Sequence, residues 1–146
     1  MSDFTMFMTQ GVDEEEIIEY VASKRFKDEK GNPTPWKLKA IDADLDEAIK
    51  KECTKRVPVT GANGRRTGQY TQETDTDKYI GKLCVACTIY PNLNDSSLQD
   101  FYKVKSGDAL LKKMLKAGEY TELKAKVMEI NGYDMSMEEL VDEAKN

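Results

Sequence analysis

The side chains best suited to chemistry in this chain are three thiols, Cys53, Cys84 and Cys87, the last two in the stretch GKLCVACTIYPNLND at 81–95. A C-x-x-C spacing serves zinc ribbons, dithiol redox sites and haem attachment. A structural zinc takes four ligands, and the chain holds three cysteines and no histidine, so a carboxylate would have to complete the set. A redox dithiol needs the lowered thiol pKa of a helix N-terminus. Here Tyr79, Leu83 and Cys87 recur at helical spacing after a cap at Asp75 or Asp77, which buries the pair about two turns inside a helix, remote from its positive end. Cys53 continues a second stripe with Leu45 and Ile49. Free cysteine packs as a small hydrophobe, and core packing is the reading these placements favour. A small redox or metal-binding protein using Cys84 and Cys87 is the rival.

The absent histidines also remove Ser-His-Asp and Cys-His catalysis and the commonest base near neutral pH. The expectation is therefore no enzyme, no cofactor and no resident metal. With 146 residues, 39% hydrophobic and 34% charged, the chain has the size and composition of one domain, 1–146. No apolar run approaches the roughly 20 residues that span a bilayer, and MSDFTMFMTQ lacks the basic flank and apolar core of a secretory signal. Neither membrane nor export is expected. A net charge of -5 opposes phosphate neutralisation, so nucleic acid is not expected as a partner; the basic cluster GANGRRTG at 61–68 is the exception to this acidity. Its glycines do not meet the phosphate-cradling G-x-x-x-x-G-K-[ST] pattern.

These residues need elements to hold them. Residues 1–12 read as an arm, flexible or formed into one amphipathic turn, carrying Phe4 and Phe7. The alternation in IIEYVASKRF, the Gly-Asn-Pro loop and the alternation in WKLKAI predict a β-hairpin, 16–26 paired with 36–41. Asp42 or Asp44 caps a helix that runs until Pro58. Residues 58–77, rich in Gly, Thr and Asp, read as a long exposed loop. The cysteine helix then runs to Pro91, and Asn94 or Ser96 caps a short helix whose face carries Leu98, Phe101 and Tyr102. Three more helices follow, broken at Gly118 and Gly132, the last opening on Ser136 with Glu139. The fold class expected is α+β, mostly α-helical, with one β-hairpin packed on about five helices.

The order EYVASKRFKDEKGNPTPWKLKAI, GQYT with DTDKY, YPNLNDSSLQDFY and LLKKMLKAGEYTELKAKVMEINGYD resembles the XkdN-like tail assembly chaperones of contractile-tailed phages and PBSX-type prophages. The similarity runs from about Glu16 to Asp134 and carries no catalytic motif across. It implies a non-enzymatic assembly factor, working in the cytoplasm of the bacterial host and absent from the mature virion. Such a factor binds the tape measure protein, keeps its apolar helices soluble and assists tail-tube polymerisation. A minor structural tail component is the alternative within the same setting. Further partners implied are the tail tube protein and a frameshifted longer form of the chain itself, since Ala144-Lys145-Asn146 is encodable as a slippery GCA AAA AAC.

Seven methionines suit a surface that adapts to several apolar segments. The partner-binding residues expected on that ground are Phe4, Phe7, Trp36, Met114, Tyr120, Met128, Met135 and Met137. For each methionine, ordinary core or cap packing is the competing reading.

Overall fold

The computed structural model describes residues 4–8 and 16–133. Thr5–Phe7 forms one short 3-10 turn. β1 (Ile18–Tyr20) pairs antiparallel with β2 (Trp36–Leu38), Tyr20 opposite Trp36 and Ile18 opposite Leu38. The expected hairpin is therefore present but shorter, and it is joined by a third strand, β5 (Thr88–Tyr90), on the other side of β2. The central strand shows the cause of the pairing: Trp36 and Leu38 are buried while Lys37 between them is exposed, so one face of the strand lies on the core.

α1 (Ala43–Glu52) starts at Asp42, whose carboxylate accepts the Leu45 N–H at 2.9 Å. Asp44 and Asp46 in its first turn and Lys50 and Lys51 in its last complement the helix dipole. The helix stops at Glu52, not near Pro58, which places Cys53 on the C-cap, still buried. From there the expected loop is instead a second sheet. β3 (Thr54–Thr60) and β4 (Arg66–Thr74) pair antiparallel, with Thr54 opposite Thr74 and Pro58 opposite Tyr70. A turn at 61–65 joins them, closed by Gly61 N–H to Arg65 C=O at 2.7 Å and passing through Gly64 at φ 78°. The exposure expected of this segment is present; its lack of structure is not. Thr and Val suit an extended chain, and polarity by itself does not distinguish a loop from a strand with both faces in water.

α2 (Thr76–Cys87) begins at Asp75, which accepts the Lys78 N–H at 3.1 Å. It ends at Cys87, a few residues before Pro91. Thr88 and Ile89 are β-branched and Tyr90 precedes a proline, and all three disfavour the helical conformation. Asp95, rather than Asn94 or Ser96, caps α3 (Ser96–Phe101) by accepting the Leu98 N–H at 3.0 Å. α4 (Gly107–Met114) starts at Ser106, and α5 (Ala117–Ile130) takes Gly118 into its first turn. Gly132, at φ 87°, follows the end of α5, as expected of a C-terminal glycine.

Helices hold 43% and strands 22% of the described residues, in five helices and two small sheets. The chain is α+β, and the expectation of a mostly helical fold with a single hairpin is corrected. The buried apolar residues form one cluster whose centre is Leu38, Leu83, Leu110, Leu111, Leu123 and Val127. α2 lies at its heart. A Cβ on Gly107 would sit 2.8 Å from the Val85 side chain, so α4 approaches α2 as closely as a backbone without a side chain permits.

Candidate functional site

The C-x-x-C sits on the inward face of α2, and both thiols are 0% exposed. Burial among apolar neighbours pushes the Cys84 thiol up to about 12, with the nearby Cys87 adding to the shift. Burial also raises Cys87, although the Asn131 amide, whose Nδ2–H lies 3.3 Å from its Sγ, acts the other way. Both are protonated thiols at neutral pH, without access to a substrate and without the thiolate character that nucleophilic or redox work requires. Cys53 is buried as well, with its thiol raised for the same reason. Asn131 ties three elements together. Its Nδ2–H also donates to the Val127 carbonyl at 2.7 Å, and its Oδ1 accepts the Ile41 N–H at 3.0 Å. The chemical residues of the sequence are thus framework.

The surface offers apolar side chains instead. Phe4 and Phe7 stand on the N-terminal turn, Phe7 at 74% exposed. Ile17 and Val21 flank β1, and Ile89 and Tyr90 lie on β5; these are the two edge strands of the three-stranded sheet. The Tyr90–Pro91 bond is cis, Leu93 is buried, Gln99 Nε2–H donates to the Leu93 carbonyl at 2.8 Å, and Asp95 caps the next helix. At the end of that helix Tyr102 turns partly inward, while Phe101 is 77% exposed and meets the Tyr102 ring edge-on at 5.0 Å. Consecutive helical positions point about 100° apart, and Tyr102 already stands on the C-cap. The expected face of Leu98, Phe101 and Tyr102 therefore splits, with Leu98 and Tyr102 packed and Phe101 left in water.

Of the eight partner-binding residues expected from sequence, Phe4 and Phe7 are exposed. Trp36 is 2% exposed, and Met114 and Met128 are likewise within the core, where a partner reaches them only if the fold opens. Tyr120 is half-buried, with Lys124 Nζ 4.7 Å over its ring. Met135 and Met137 lie outside the described residues. Ile89, Tyr90 and Phe101 were not among the residues expected. The signals were a β-branched and aromatic pair directly before proline and an aromatic pair at consecutive helical positions.

Residues 4–145 match the family described as phage XkdN-like tail assembly chaperone protein. Among curated proteins, the chain is 34% identical to YqbN of Bacillus subtilis (strain 168) over 145 residues, 99% of this chain and 93% of that one. It is also 34% identical to the phage-like element PBSX protein XkdN of the same organism, covering 99% and 94%. The crystal structure of YqbN superposes with a TM-score of 0.74 at 29% identity, covering 92% of this chain and 99% of that one.

Proposed function

Because the chain belongs to the XkdN-like phage tail assembly chaperones, we propose that it binds the tape measure protein of its phage or prophage through its exposed apolar side chains. The observation that carries this reading is the match over residues 4–145, nearly the whole chain. The fold supports it: the titratable thiols are core, while Ile89, Tyr90, Phe101, Phe4 and Phe7 are displayed to solvent. An assembly factor that keeps a long apolar protein soluble needs such a surface and needs no reactive group. On this reading the chain is non-enzymatic, works in the bacterial host cytoplasm, assists tail-tube subunits to polymerise around the tape measure protein and leaves before the virion is complete. The tail tube protein and a frameshifted longer form of the chain are its further partners.

Co-expression with the tape measure protein of the same genome tests the proposal. The two are expected to co-purify, and the tape measure protein is expected to move from the insoluble to the soluble fraction. Ile89→Asp with Phe101→Asp should abolish both effects while the chaperone itself remains folded. Failure of the unaltered pair to associate, or recovery of the chain in purified virions in stoichiometric amounts, overturns it; the latter result identifies a structural tail component.

A further inference from the structure

The β3–β4 hairpin is a sheet of two strands, and β4 is exposed along its whole length. Two strands are marginal in water, and three or more make a sheet stable. The hairpin's two outer edges differ. Pro58, opposite Tyr70, has no N–H, and a ladder tolerates proline where that group would face away from the partner strand. The Thr54 and Thr74 hydroxyls, 2.7 Å apart, fall in the same phase, since side chains approach most closely in pairs that exchange no backbone bonds. In this phase the outer edge of β3 is interrupted by Pro58. The N–H and C=O groups of Tyr70 and Gln72 face outward along β4, where no proline intervenes. β4 is the open edge.

Charge indicates what covers it. At the tip of the hairpin stand Arg65 and Arg66; at its base, on the β4 side, stand Glu73, Asp75 and Asp77, all exposed. An antiparallel neighbour of identical sequence lays each basic tip beside the other's acidic base, twice per pair. We propose that the β4 edge pairs with β4 of a second copy of this chain, about a two-fold axis at Thr71, joining the two hairpins into one four-stranded sheet. Gln69 then faces Glu73 of the second copy and Tyr70 faces Gln72, and no like charges stand opposite one another. Thr71 faces its own counterpart in a pair without backbone bonds, at a separation of about 4.5 Å between Cα atoms, within disulfide reach. So short a ladder is at the small end of interfaces, and the dimer is concentration-dependent.

Sedimentation velocity on the full chain tests this. The 16.6 kDa monomer should give way to twice that mass between about 1 and about 100 μM, less readily as salt rises. Arg65→Glu with Arg66→Glu should weaken the dimer about tenfold, and adding Glu73→Arg with Asp77→Arg should restore it. Gln72→Pro, which removes an outward N–H and no hairpin bond, should leave only monomer. Thr71→Cys should form an intermolecular disulfide on mild oxidation far faster than Asn63→Cys in the turn. A monomer at about 100 μM together with equal cross-linking of the two cysteine variants overturns the proposal, as does a dimer that Gln72→Pro leaves intact.

Discussion

In α2, Tyr79, Ile80, Gly81, Leu83, Cys84 and Cys87 are buried, half of its length; in β4, a few residues upstream, none is. The two elements use polar and apolar residues in opposite ways. α2 is surrounded by the sheet and by α1, α4 and α5, so that even its thiols act as packing volume. The hairpin leaves β4 wholly in water, half-buries only Thr54, Val57 and Val59 of β3, and adds side-chain contacts on its own surface to its backbone ladder. Arg56 lies 4.1 Å over the Tyr70 ring, and the Thr67 hydroxyl donates to the Val59 carbonyl at 3.0 Å. Folding free energy therefore resides in the helical body, and the hairpin is free to meet something else.

Substitutions should separate the two regions, and the largest effect belongs to the body. Leu83→Ala removes a fully buried side chain at the centre of the cluster and should cost about 2–5 kcal/mol in urea titration. Asn131→Ala leaves the Ile41 N–H without its acceptor and should cost about 1–3 kcal/mol. Cys84→Ala with Cys87→Val changes core volume only slightly and should cost about 1–2 kcal/mol. In the unaltered folded protein both thiols should resist alkylation until denaturant is added; rapid alkylation, or loss of a bound metal in the variant, would return the redox and metal reading. At the small end, Tyr70→Thr in the hairpin should stay within about 0.5 kcal/mol. A large loss there would mean that the hairpin is part of the cooperative core.

Alkaline pH probes the same contrast. Cys84 and Tyr120 titrate near 12 when folded, against ordinary values of 9.0 and 10.0, chiefly because burial disfavours their charged forms. Above about pH 9 the unfolded chain releases protons that the folded chain keeps, so stability is intact below that pH and is lost as pH rises toward about 12. Thermal melting between pH 8 and 11 should show the decline, and Cys84→Ala should make it shallower without moving its onset, because Cys53 and Cys87 are raised by burial as well.

The body was largely legible in the sequence. The stripe through Tyr79, Leu83 and Cys87, the acidic pairs Asp42/Asp44 and Asp75/Asp77, of which the first member caps in each case, and the stop at Gly132 each mark local chemistry that tertiary packing left undisturbed. Two local signals do not carry to the fold: the polarity of 58–77 does not exclude strands, and the helical phase that continues across Thr88 and Ile89 toward Pro91 does not keep those residues helical. In both places a strand formed because a partner strand was available in space, which no local pattern shows. The surface was harder to read: Trp36, Met114 and Met128 have the composition of a binding face and the position of a core, whereas Phe101 sits beside a partly buried tyrosine and is largely exposed.

By itself the sequence determined the starts of the capped helices to within a residue or two, the absence of histidine chemistry, and the family, through the order of its motifs from Glu16 to Asp134. Tertiary structure decided which apolar residues face inward, that β5 joins the first sheet, and that the Thr-rich segment is a two-stranded arm with one open edge. The physical reason is the range of the forces concerned. Caps and turns are satisfied within a few residues, whereas burial and strand pairing depend on distant segments meeting.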